Sequence, residues 1–119
     1  MSTAVKRKLS AAAAGNTGIE ITTTSTAGDL IHSAVAGTTA GTFDEIWLWA
    51  QNNYTADVIL TVEFGSHDHA QNITLTIPFK SGLVPVVPGL PLQNTLDVNA
   101  FAGTPNVITL FGFINLITD

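Results

Sequence analysis

The chain contains no cysteine, which excludes disulfides, thiolate metal sites and cysteine nucleophiles. Charge is also scarce. Asp, Glu, Lys and Arg make up 11% of the residues, against about 25% in an ordinary soluble domain, while 45% are apolar. A skin so poor in charge is either built from Thr, Asn and Ser or covered by something, and both are expected here. Basic residues are the rarest of all. Lys6, Arg7 and Lys8 stand together near the start, and only Lys80 lies elsewhere, while all nine carboxylates fall from Glu20 onward. From residue 9 onward, nine acids against one lysine leave −8 of charge behind a +3 peptide. A body of that sign repels nucleic acid and anionic membrane, so only the basic segment can attract an acidic surface. Three cations release few counterions, and protein docking is the preferred reading of that segment over nucleic-acid binding.

Long apolar runs are missing too. KRKLSAAAAG begins like a secretion signal, but its apolar part is shorter than the usual core of about 7–15 residues. Val107–Ile117 is broken by Thr109 and Asn115 and is far short of the roughly 20 residues that span a membrane. A soluble protein is expected.

What is present reads as all β. Residues 1–18, rich in Ala, Ser, Thr and Gly, suit an extended, partly mobile basic arm; AAAAG is too short for an isolated helix. Residues 19–119 form one domain. Strands are expected at 19–24, 30–35, 43–51, 57–64, 72–79, 83–87, 95–101 and 106–117, separated by turn chemistry such as AGTTAGT, GSHDHAQ and PGLPLQN. About eight antiparallel strands of this kind make a β-sandwich of jelly-roll type. Pro85 and Pro88 mark 83–87 as an edge strand, where missing N–H groups go unused.

Alternation assigns the faces. Ile73, Leu75, Ile77 and Phe79 make one core stripe, and Val58, Leu60, Val62 and Phe64 another. Two strands are apolar on both faces. FDEIWLWAQN sets Ile46, Leu48 and Ala50 against Trp47 and Trp49; 106–117 sets Ile108, Leu110, Ile114 and Leu116 against Val107, Phe111, Phe113 and Ile117. One sandwich has one core, so a second cover is required. Either the N-terminal segment folds back or another copy of the chain docks. A homo-oligomer is expected, with Trp47, Trp49, Phe111 and Phe113 at the seam, although the inner and outer sets are interchangeable at this level.

Catalytic constellations are weak. His67 and His69 in GSHDHA share a face if extended, as in a cupin metal site, but no Glu follows at the required spacing and Glu63 would have to fold back. No metal and no cofactor are expected. His32, in LIHSAV, reads as a hydrogen-bonded structural residue. Ser66, His67 and Asp68 are neighbours in sequence, so their side chains diverge where a triad must converge. Asp44, Glu45, Asp57, Glu63 and Asp97 are available for carboxylate chemistry, but nothing pairs any two of them. The chain is expected not to be an enzyme.

A basic start running into KLS, then LIHSAVAGTT, FDEIWLWAQNN, DVILTVEFG, TIPFKSG, VPVVPGLPL and LDVNAFAGTPNVITLFGFIN, resembles small tailed-phage virion proteins of the capsid-decorating or cement type. The resemblance spans nearly the whole chain as a pattern of strands and turns. It implies a jelly-roll-like sandwich, often trimeric, on the outer capsid surface where subunits of the major capsid protein meet, with no enzymatic activity. Lys6, Arg7, Lys8 and Leu9 are then the expected capsid-binding contacts of the arm. The rival reading is a receptor- or carbohydrate-binding module of a phage tail or head fibre, with Trp47, Trp49 and Tyr54 as a stacking platform.

Overall fold

The structure is a computed structural model that describes residues 2–119. Nine strands run in chain order: β1 (Thr3–Arg7), β2 (Ile19–Glu20), β3 (Asp29–Ser33), β4 (Phe43–Asn52), β5 (Val58–Phe64), β6 (Asn72–Ile77), β7 (Val84–Leu92), β8 (Asp97–Ala102) and β9 (Ile108–Thr118), with a single 3-10 turn at His69–Gln71. All pairings are antiparallel. One sheet has the order β1-β9-β4-β7, with β2 also on β9, and the other has the order β3-β8-β5-β6. Taken without β1, the orders β2-β9-β4-β7 and β3-β8-β5-β6 are those of a jelly roll, in which most successive strands alternate between sheets.

The expected alternation holds in β4. Ile46, Leu48 and Ala50 are buried against Ile108, Leu110 and Ile114 of β9, and across the sandwich the core is completed by Leu60, Val62, Val98, Ala100 and Ala102. Each large side chain so buried contributes roughly 1.5–3 kcal/mol. Phe79 departs from its predicted stripe. β6 ends at Ile77, before Pro78, and Phe79 lies 52% exposed.

Three further differences have local causes. The segment expected as a mobile arm over 1–18 is docked where it is described, Met1 lying outside the described residues: Thr3–Arg7 pairs with β9 from Thr3↔Thr118 to Arg7↔Ile114, and Leu9 and Ala12 enter the core. β9 is long enough to offer a free flank to three pieces of the N-terminal segment. β1 covers 114–118, the Asn16 amide donates to the Gly112 carbonyl, and β2 covers 109–110. A sheet edge closed this way is no longer a template for stray pairing. The strand expected at 19–24 is cut to Ile19–Glu20 because the Thr22 N–H and hydroxyl turn to the Asp29 carboxylate. Conversely, β7 continues through PGLPL, which reads as a turn. Two register shifts absorb the extra residues, and Gly89, at φ +80°, tucks under Trp47 where an added Cβ would lie 2.7 Å from Cζ2. The proline-bearing β7 is an edge strand, as expected.

Candidate functional site on the outer face of the five-stranded sheet

The outer face of the first sheet is laid out by register. Lys6, Asn115, Glu45 and Pro91 form one row across the strands; Phe113, Trp47 and Pro88 the next; Phe111, Trp49 and Pro85 the third; Glu20, Thr109 and Gln51 the last. Two aromatic-and-proline rows therefore lie between two polar rows. Trp47, Trp49 and Phe113 are mutually stacked, with centroids 6.0–6.3 Å apart and planes within 26° of parallel. Such pairs add to burial through their quadrupoles. All three rings are half-buried, while Pro85, Pro88 and Pro91 are exposed.

The polar rim orders this cluster. The Trp47 indole N–H donates to Glu45 Oε1 at 2.7 Å, and the Asn115 amide donates to the same oxygen at 3.1 Å. Those bonds, from Asn115 first and Trp47 second, hold the Glu45 carboxyl below its ordinary value against the opposing effect of burial. The Lys6 ammonium lies 4.6 Å from the Phe113 ring centroid, a cation–π distance. Phe111 sits apart from the stack, against the chain at Gly18, where a Cβ would fall 2.7 Å from Cε1. The N-terminal segment thus covers one flank of the face and leaves the tryptophans uncovered.

The four residues expected to act together as an arm are separated. Lys6 lies over the aromatic face. Arg7 lines a cavity of about 300 Å³ with Ser10, His32, Ser33 and Asp44. The Lys8 ammonium folds back onto the Leu9 and Ala12 carbonyls. Leu9, 1% exposed, is core and offers no contact surface while the segment is in place.

The histidines occupy two structural networks. His32 is buried, with Nε2 2.7 Å from Asp44 Oδ2, and its Nδ1 accepts the Ser10 N–H at 3.0 Å. The backbone donor fixes the tautomer: Nε2 carries the proton and donates to Asp44. With Nδ1 occupied by an amide, this His–Asp pair has no free nitrogen to take a proton from a nucleophile, so it pins the N-terminal segment to β3 and β4. His67 Nδ1 lies 3.2 Å from Glu63 Oε2, so Glu63 does fold back toward GSHDHA. Its carboxylate is filled by the Thr26 hydroxyl and the Gly28 N–H, and Asp68 caps the 3-10 turn by accepting from Ala70. Among the described residues no group of three His, Asp or Glu side chains is placed to hold a metal ion.

No protein-family model matches the chain, and no curated protein or solved structure matches it either. Sequence reasoning found Trp47, Trp49 and Phe113 and missed Glu45, Asn115, Pro91 and Lys6 as their rim. The prolines were visible, but their shared face depends on two bulges that no alternation rule anticipates.

Proposed function

We propose that this chain is a non-enzymatic structural protein of a virion, a phage capsid decoration or cement protein that acts as a homo-oligomer. The observation that carries the reading is the outer face of the five-stranded sheet, an apolar centre of stacked aromatics and prolines inside a polar rim. That is the anatomy of a protein–protein interface. Covering rings already half-buried contributes on the order of 1 kcal/mol each, about half of full burial. A second copy suits the face because its charge is nearly balanced, with Lys6 at one end of a row and Glu45 within it. Lys6, at the rim of that face, and Arg7 beside it, both exposed on β1, are the contact offered to an acidic surface of the major capsid protein, and repetition in an oligomer multiplies weak contacts into avidity.

Trp49→Glu is the test of the seam, since Trp47 also has bonds to its own chain. Sedimentation equilibrium should show the loss of every subunit held through this face, or insoluble protein; a soluble oligomer of unchanged mass overturns the seam. For the capsid role, the readout is co-sedimentation with capsids of the encoding virus stripped of accessory proteins. Wild type should bind saturably and Lys6→Glu/Arg7→Glu more weakly. Absence of wild-type binding, with glycan-array signal that disappears in Trp49→Glu, would favour the carbohydrate-binding reading.

A further inference from the structure

The two sheets have four edges, one of them shared by β1 and the two-residue β2, which ends in the charged Glu20, and three of the four are guarded. β7 carries Pro85, Pro88 and Pro91 and two register shifts. β1 carries Lys6 and Arg7. β3 is short, shifts register between Leu30 and His32, and has its free groups taken by the chain itself. Asp29 N–H donates to Thr23 Oγ1, Ile31 O accepts from Ala11, and Ser33 N–H donates to Ser10 Oγ. Proline, charge, bulges and caps are the devices by which edge strands avoid pairing with other chains.

β6 has none of the four along its length. Its sequence, NITLTI, contains no proline and no charge. It pairs with β5 without a register shift, from Val58↔Ile77 to Glu63↔Asn72. The Asn72 N–H is bonded to His69 O at one end, and Ile77 O is held by Asn52 at the other. Among the described residues nothing caps the backbone from Ile73 to Thr76 on the side away from β5.

We infer that β6 is a second association surface, at which two copies of this chain pair edge to edge and antiparallel. The side chains specify the occupant. About a two-fold axis at Leu75, Leu75 faces the partner's Leu75, Thr74 faces the partner's Thr76, and Ile73 faces the partner's Ile77. Threonines meet on the outer face, aliphatics on the inner, and no charge opposes a like charge. Cross-strand pairs of these kinds are favourable. Ile73 and Leu75, half-buried at the margin of the core, gain a neighbour, and the two four-stranded sheets become one. This contact is on the opposite sheet from the aromatic face and stands or falls independently of it. If both operate, the edge joins one oligomer to the next.

Thr74 and Thr76 are exposed, so Thr74→Lys/Thr76→Lys should leave the fold intact while setting lysine against lysine across the axis. Sedimentation equilibrium should show the mass of the double variant about twofold below wild type, the step a two-fold contact supplies. The Thr74→Glu/Thr76→Glu variant should behave alike, and mixing the two should restore the wild-type mass. Restoration also excludes misfolding as the cause. Trp49→Glu should retain the edge-paired dimer, which separates loss of this surface from loss of the aromatic one. Unchanged mass in the lysine variant, or no recovery on mixing, overturns the inference. So does rapid, concentration-independent hydrogen exchange in wild type at those amides of Ile73–Thr76 that point away from β5.

Discussion

The two outer faces of the sandwich are treated in opposite ways. The four-stranded sheet presents Thr61 and Glu63 outward, yet these are 7% and 1% exposed, and the loop from Thr22 to Gly28 lies across Glu63. Thr26 and Gly28 donate to Glu63, Asn99 donates to the Gly28 carbonyl, and the Ala102 N–H donates to Thr23 O. The five-stranded sheet presents two tryptophans and a phenylalanine, and among the described residues no comparable loop crosses them. The chain covers its own polar face and leaves its aromatic face to the surroundings. Solvent alone would favour the reverse, since a carboxylate is costly to bury and an aromatic cluster costly to expose. The covered face is a matter of folding, and in the proposed function the uncovered face is a matter of association.

The strongest way to break this contrast is to strike each face and read both stability and mass. Glu63→Ala leaves the half-buried Gly28 N–H without its acceptor, while the exposed Thr26 hydroxyl can turn to water. The loss in a denaturant titration should be roughly 1–3 kcal/mol, the cost of one unpaired donor, with the oligomer mass unchanged in the folded fraction. Trp49→Glu should do the converse, lowering mass with a smaller change in monomer stability. Should Glu63→Ala dissociate the oligomer while remaining fully stable, the division of labour between the faces is wrong.

This division was half legible from the residues. Alternation in FDEIWLWAQN set Trp47 and Trp49 opposite Ile46 and Leu48, and apolar side chains at the centre of both faces required a cover. Strand periodicity carries that much, because side chains on a strand alternate whatever the fold. Glu63 was not legible. In VILTVEF it looks like an ordinary outward carboxylate, and its burial depends on a loop more than 30 residues earlier in the chain. The basic segment was misplaced for a related reason. Low-complexity composition suggested mobility, but Leu9 and Ala12 are anchors in the core, and they plus an open flank on β9 suffice to dock it. The jelly roll itself was legible from strand count and turn spacing, whereas β1 depended on a pairing partner at the far end of the sequence.

A finer test uses pH, because each face carries one glutamate with a depressed carboxyl. At Glu63, burial pushes the carboxyl up, but the bonds from Thr26 and Gly28, together with His67, outweigh it and hold the group below its ordinary value. At Glu45 the bonds from Asn115 and Trp47 do the same on a more open surface. A carboxyl lowered on folding binds fewer protons folded than unfolded between the two values. Its contribution is thus complete above the unfolded value of about 4.3 and is lost as pH falls through the folded value. Stability of wild type minus Glu63→Gln should accordingly shrink between about pH 5 and the acid limit of folding. The same difference for Glu45→Gln should shrink over the same window but by less, since solvent screens the more exposed group. Parallel wild-type and Glu63→Gln curves across that window would mean that the loop over the four-stranded sheet is not held by the ionised carboxylate. A larger pH effect at Glu45 than at Glu63 would mean that the aromatic face is the drier of the two, as it becomes when a second copy covers it. Repeating the titration in the Trp49→Glu variant, whose aromatic face is left open, distinguishes these cases, because only a covered face loses its enlarged pH dependence when that seam dissociates.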